Sequence, residues 1–243
     1  MKPLAIGVIG CGALGRHHTR ILSSLPGVRL VGIHDRRREV GEAVAAEFGS
    51  RHFATPEPLL AEVEAVVLAV PTVDHASLGC EILGRGQHLL VEKPIALTVH
   101  GGQAMIAAAE QAGRVLAVAE NYRLDPMNRL AKALLAAGVI GVPFLIEQRL
   151  SGWGERVVIT PWRHQRGSGG IGVDMGVHYA DMLEYLLGPL HSLGGMGRVV
   201  DAERRGADGS LHPADAEDLI LGAARFTDGT LASWTLNLAG RSE

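Results

Sequence analysis

A chain of 243 residues with 47% hydrophobic side chains can bury the core of one large domain or two modest ones, which sets it apart from disordered and fibrous classes. A formal charge of −3 and a pI near 6.4 provide no field for nucleic acid or an anionic membrane, so a small solute is the default partner. Only two cysteines occur, Cys11 and Cys80, which argues against a disulfide framework and for a reducing compartment, the cytoplasm.

The opening run, MKPLAIGVIGCG, is broken by Gly10, Gly12 and Gly15 and then by Arg16-His17-His18, so it reads as strand and turn and not as a signal peptide. No segment approaches the ~18 consecutive apolar residues of a membrane span. Apolar runs at 4–9, 28–33, 65–70, 88–91 and 115–118 alternate with helix-compatible stretches at 14–24, 36–48, about 75–85 and 98–112. Strands apolar on both faces, alternating with helices, predict a doubly wound parallel sheet of the Rossmann kind over residues 1–120. From Asn121 the pattern changes. A helix over 126–137 stops at Gly138, a strand over 143–150 leads into a glycine- and tryptophan-rich loop over 151–170, and a helix runs over 174–187. Strands over 192–200, 218–226 and 230–238 follow, with Asp228-Gly229 as a hairpin turn. Residues 121–243 therefore read as an α+β domain with a mainly antiparallel open sheet.

Gly10-Cys11-Gly12-Ala13-Leu14-Gly15 fits GxGxxG directly after an apolar strand and opens a helix, and Asp35 closes the second strand twenty residues after Gly15. The glycines suit a tight turn and close approach of a pyrophosphate, with Ala13 and Leu14 at the helix start, whose dipole favours an anion. Asp35 would accept hydrogen bonds from the adenosine ribose, which favours NAD. Arg36-Arg37-Arg38 opposes the dipole of its own helix and keeps NADP open, although a solvated arginine face is the commoner meaning of such a run.

In open parallel sheets ligands sit beyond the carboxyl ends of the strands. Pro71-Thr72, Glu92-Lys93-Pro94 and Glu120-Asn121 follow the third, fourth and fifth strands and so lie on that rim with the glycine loop. Lys93 falls toward the nicotinamide half, and Pro94 suits a rigid reversal, with a cis bond as one way to build it. Asp174 and His178 are four apart and share a helix face, with Gly176 between them at the expected helix start. Alone, such a pair more often means an exposed polar pair or a packed histidine; half of a zinc site completed by His164 or His191 is the lesser alternative, since no close Cys/His spacing supports the metal, and none is assigned.

The stretch VPTVDHASLGCEILGRGQHLLVEKPIALT, with Pro71, His75, Gly86 and the EKP triplet, resembles the glucose-fructose oxidoreductase, inositol dehydrogenase and rhizopine-catabolism (Gfo/Idh/MocA) family. Asn121-Tyr122-Arg123, Trp162-Arg163 and Asp174-Met175-Gly176-Val177-His178 with Asp181 extend the resemblance over essentially the whole chain. It implies Lys93, Asp174 and His178 as catalytic residues of an NAD(P)-dependent dehydrogenase or reductase for a sugar, cyclitol or related polyol. His178 would be the acid/base, Lys93 the partner of the developing alkoxide, and Asp174 would orient His178 or hold a neighbouring hydroxyl. Glu92 would contact the nicotinamide ribose, Pro71, Thr72, His75 and Asn121 would line the cofactor groove, and Tyr122, Arg123, Trp162 and Arg163 would shape the substrate pocket. A dimer or tetramer built on the open sheet is implied in the same way. Members usually continue further, so the second domain is expected to be shortened, naturally or as a fragment. The alternatives are transient-oxidation hydrolysis and a catalytically silent NAD(P)-binding sensor; intact Lys93, Asp174 and His178 argue against the sensor.

Overall fold

The computed structural model describes residues 2–153 and 160–240, so 154–159 of the expected loop, the side chain of Trp153 and the final Arg241-Ser242-Glu243 lie outside the described residues. The chain divides into two compact units, Met1–Ala119 and Glu120–Glu243.

In the first unit β1 (Leu4–Ile9), β2 (Val28–His34), β3 (Ala65–Leu68), β4 (His88–Glu92) and β5 (Leu116–Ala119) form a parallel sheet in the order β2-β1-β3-β4-β5. The helices α1 (Ala13–Leu22), α2 (Arg38–Glu47), α3 (Pro56–Glu62), α4 (His75–Gly84) and α5 (Val99–Ala112) connect these strands. The pleat sends alternate residues to opposite faces, and the strands are apolar on both. Ile6, Val8 and Val67 pack with Leu22, Ile33 and Val44 beneath α1 and α2. Ile9, Val66 and Leu68 pack with Leu59, Ile82, Leu83 and Met105 beneath α3, α4 and α5. Each fully buried aliphatic side chain contributes roughly 1.5–3 kcal/mol. The order reverses between β1 and β3, which is the switch point where a doubly wound sheet opens a crevice. The short α3, over a stretch with no assigned element in the sequence reading, starts with Pro56 in its first turn, where a missing N–H costs nothing.

In the second unit α6 (Pro126–Ala136) is capped by Asp125, whose Oδ1 accepts the Met127 N–H at 2.7 Å. The strands β6 (Leu145–Trp153), β7 (Leu190–Arg198), β10 (Leu219–Phe226) and β11 (Leu231–Gly240) form a sheet in the order β6-β11-β10-β7. The pairs β7–β10 and β10–β11 are antiparallel, but β11 runs parallel to β6, so the sheet is mixed. A separate small hairpin, β8 (Glu203–Arg205) and β9 (Leu211–Pro213), occupies the stretch 201–215 that reads as loop. The helix α7 (Gly170–Leu187) lays Ile171, Met175, Tyr179, Leu183 and Leu187, every fourth residue, on the sheet, where they meet Leu236, Leu238, Phe226 and Ala232.

Candidate functional site

The glycine loop of the first unit leaves β1 at Gly10, whose φ of +93° suits glycine alone. A Cβ on Gly15 would lie 1.7 Å from the Gly10 carbonyl oxygen, so loop and helix are in direct contact there. A Cβ on Gly12 would meet nothing within 4 Å. Gly12 is the N-cap of α1 and provides no side-chain cap, and Ala13 and Leu14 begin the helix exposed. The head of α1 thus presents backbone N–H groups to open space, an arrangement that fits a pyrophosphate.

Asp35 is buried and holds this loop. Its Oδ2 accepts the Cys11 N–H at 2.7 Å and its Oδ1 accepts the Arg37 N–H at 2.8 Å. The Arg37 guanidinium lies 3.6 Å away, while Arg36 is exposed beside it. Burial, and then the Asp35 charge, push the Cys11 thiol up to about 12 against an opposing pull from Arg37, so it stays protonated at neutral pH and acts as a small apolar group.

Further along the same rim Pro71 caps a short turn, Thr72–Asp74, and Thr72 is buried. His75 is fully enclosed, with Nδ1 2.8 Å from the Pro94 carbonyl and Nε2 3.0 Å from the Val70 carbonyl, so it ties the end of β3 to the residue after Lys93. The Lys93–Pro94 bond is cis. Glu92 has a protein partner that the sequence reading did not foresee. Its Oε1 lies 2.7 Å from His18 Nε2, and its Oε2 accepts the Lys93 N–H at 3.2 Å. The signal for His18 is its place three residues after Gly15 on α1, on the flank that also carries buried Leu22.

In the second unit a stripe beside the sheet-facing row of α7 carries Asp174, His178 and Asp181. Asp174 and His178 are both buried, and with the helix starting at Gly170 they and Gly176 stand beyond its first turn; the expectation that Gly176 opens the helix is corrected. Asp181 forms a two-point pair with Arg123 at 2.6 and 2.7 Å, so that guanidinium is held within the protein. Arg163, in the short turn Pro161–His164, places Nε 3.3 Å from Asp174 Oδ2 and its guanidinium 5.0 Å from the centre of the Trp162 ring. His178 Nδ1 lies 2.7 and 2.8 Å from the two carboxylate oxygens of Glu120. The Tyr122 ring stacks on the imidazole at 4.2 Å between centroids and 11° between planes. Glu120 has a rim position in the sequence but no role there, because its partner lies 58 residues away. Asn121 is exposed at the start of the turn Asn121–Leu124. Among the described residues no group of three or more His, Cys, Asp or Glu side chains is arranged to hold a metal ion.

A parallel sheet that reverses order beside an open, glycine-lined helix head defines a Rossmann-type dinucleotide-binding protein. The model of an oxidoreductase family with an NAD-binding Rossmann fold matches residues 4–120, and that of the GFO/IDH/MocA C-terminal domain matches residues 128–242. The chain belongs to the Gfo/Idh/MocA oxidoreductase family, and its amino-terminal unit is that family's NAD-binding domain. It is 30% identical to scyllo-inositol 2-dehydrogenase (NAD(+)) of Bacillus subtilis over 80% of its own length and 57% of that relative's. Among solved structures it is similar to GenD2 from gentamicin A biosynthesis in complex with NAD, with TM-score 0.87 and 26% identity over 100% of this chain and 68% of that one. Levoglucosan dehydrogenase in complex with NADH and L-sorbose gives TM-score 0.87 and 25% identity over 98% and 68%. No helix among the described residues is long and apolar enough to cross a membrane.

Proposed function

We propose that the protein is an NAD-dependent oxidoreductase that interconverts a secondary alcohol and a ketone on a sugar, cyclitol or related polyol. The observation that carries this reading is that the two domain models of one oxidoreductase family match the two units of a chain that also keeps Lys93, Asp174 and His178. The polyol class follows the relatives named above, an inositol dehydrogenase and a levoglucosan dehydrogenase seen with a sugar.

The nicotinamide of bound NAD supplies the hydride acceptor. Gly10, Gly12, Ala13, Leu14 and Gly15 receive the pyrophosphate, Asp35 reads the adenosine ribose with Arg36 alongside, and Pro71, Thr72, His75, Glu92 and Asn121 line the groove. In the oxidation direction the substrate O–H bond breaks and its proton passes to His178 Nε2. The electron pair left on oxygen closes the C=O bond as hydride leaves the carbon. His178 suits this work because an imidazole nitrogen can both accept and return a proton. The Lys93 ammonium stabilises negative charge as it develops on that oxygen, a preorganised electrostatic contribution. Asp174 holds a neighbouring hydroxyl, while Tyr122, Arg123, Trp162 and Arg163 shape the pocket around it. An assembly of copies of the chain is supported by the open face of the mixed sheet, where the cross-strand neighbours Met196 and Leu221 are exposed.

The test is absorbance of reduced nicotinamide with NAD and a panel of inositols and sugars. Wild-type protein is expected to turn over at least one of them. Lys93→Met and His178→Gln are expected to lower turnover by about 100-fold or more, the usual scale for general acid–base groups, while NAD(H) still binds. Unimpaired turnover in either variant overturns the assigned role; binding without turnover of any polyol overturns the enzyme reading in favour of a sensor.

A further inference from the structure

We propose that Glu120 is the positioning residue for His178: its carboxylate holds the imidazole as the tautomer protonated on Nδ1, leaving the Nε2 lone pair as the base. The inference rests on the acid/base role proposed for His178 and adds a residue and a protonation pattern to it. Both Glu120 oxygens lie within 2.8 Å of Nδ1, and an ionised carboxylate only accepts, so Nδ1 must carry a proton. A neutral imidazole has one N–H, and Nε2 is left bare. His178 makes no hydrogen bond through Nε2 among the described residues.

Three contacts keep the pair in register. The Glu120 carboxylate is itself anchored, since Oε1 also accepts the Tyr122 N–H at 3.0 Å as the cap of the turn Asn121–Leu124. That turn is tied down by Asn128, whose Nδ2 donates to the Tyr122 carbonyl at 2.9 Å. The Tyr122 ring lies flat on the imidazole and opposes a ring flip, which would exchange Nδ1 for a carbon. The side chains of His178 and Glu120 are only 6% and 11% exposed, so water competes weakly for the Nδ1 proton. When Nε2 takes a proton, the resulting imidazolium already faces a carboxylate. A neutral ring beside an anion becomes an ion pair, and no uncompensated charge is created in a poorly solvated place. The other charged groups on this side of α7, Asp174 with Arg163 and Asp181 with Arg123, are each engaged in ion pairs of their own.

The direct readout is long-range 15N–1H correlation of the apoprotein labelled at histidine, from neutral to mildly alkaline pH, with His178 assigned by the signals lost in His178→Gln. Wild type is expected to show Nδ1 protonated and Nε2 unprotonated. Glu120→Ala is expected to lose that preference, and Glu120→Gln, whose amide oxygen still accepts from Nδ1, to retain it. Where the polyol reaction proceeds, Glu120→Gln should lower kcat by about 10–100-fold, the scale for an outer carboxylate behind a working histidine, with KM within about twofold. Glu120→Asp should recover part of kcat. A wild-type His178 protonated on Nε2, or an unchanged pattern and unchanged kcat in the folded variants, overturns the proposal. An intact Nδ1–H pattern in a protein that oxidises no polyol instead overturns the functional reading and leaves the tautomer assignment standing.

Discussion

His164, next to Arg163 in sequence, is buried with its Nε2 lacking a hydrogen-bond partner. Burial first, and then the Arg204 guanidinium, push its imidazole down to about 4, with Asp218 pulling the other way and Arg163 and His212 adding to the shift. In the unfolded chain the same group titrates near about 6.5. Above that value both states are neutral and the group leaves stability unchanged. As pH falls from 6.5 toward 4 the unfolded state gains the proton first, so stability is lost across that window and the loss levels off below it. Wild-type protein is expected to take up about one more proton on unfolding than His164→Gln over this interval, seen as a steeper pH dependence of the urea midpoint. Parallel slopes would contradict it. At this scale the sequence is legible where a residue's chemistry depends on near neighbours. The glycine loop and Asp35 can be picked out by spacing, and the EKP triplet by its place at the end of a strand together with the family resemblance. Glu120 and His18 cannot, because their partners stand 58 and 74 residues away and only the fold brings each pair together.

Elements were readable where one periodicity dominates. The five parallel strands follow the apolar runs because both faces of that sheet are buried. The start of α7 was hidden, since Gly170, Gly172 and Gly176 each cost a helix about 1 kcal/mol relative to alanine. Ile171 and Met175 on the sheet outweigh that cost. The β8–β9 hairpin leaves little signal in the sequence because its strands are only three residues long, the first wholly charged and the second containing a proline; it is held by Arg204, which pairs with Asp218 and donates to the Leu238 carbonyl at 2.9 Å. The glycine loop separates folding from binding at this level. Gly12→Ala adds a methyl to open space, whereas Gly15→Ala drives one into a backbone oxygen. Gly12→Ala is expected to keep the wild-type melting temperature and weaken NAD binding; Gly15→Ala should destabilise the fold by roughly 1–3 kcal/mol or more, as overpacking does. Calorimetry of each variant with and without NAD checks both.

Over the whole molecule, the two units differ in how much core each owns. The first has two large clusters, one on each face of its sheet, and the second has two small ones on a sheet with an open face. All three tryptophans, at 153, 162 and 234, belong to the second unit, so their fluorescence reports that unit alone. Urea unfolding followed by tryptophan emission is expected to have a lower midpoint than the transition followed by far-UV ellipticity, which draws on both units. Saturating NAD should raise the ellipticity midpoint more than the emission midpoint, because most of the proposed cofactor contacts lie in the first unit. Coincident curves would show one cooperative unit instead. The change of pattern near residue 120, where one compact unit gives way to the other along the chain, was legible. The parallel β6–β11 pairing was not, because pairing direction depends on chain routing and leaves no mark on a single strand's sequence.

The double duty proposed for Asp35, reader of the ribose and holder of the glycine loop, sets a limit on redesign. Replacing it with a small neutral residue to admit a phosphorylated ribose would also orphan the Cys11 N–H, a buried donor whose loss of a partner costs about 1–3 kcal/mol. Retargeting toward NADP therefore starts more safely from exposed Arg36, or from asparagine at position 35, which retains one acceptor oxygen for the loop it holds in shape.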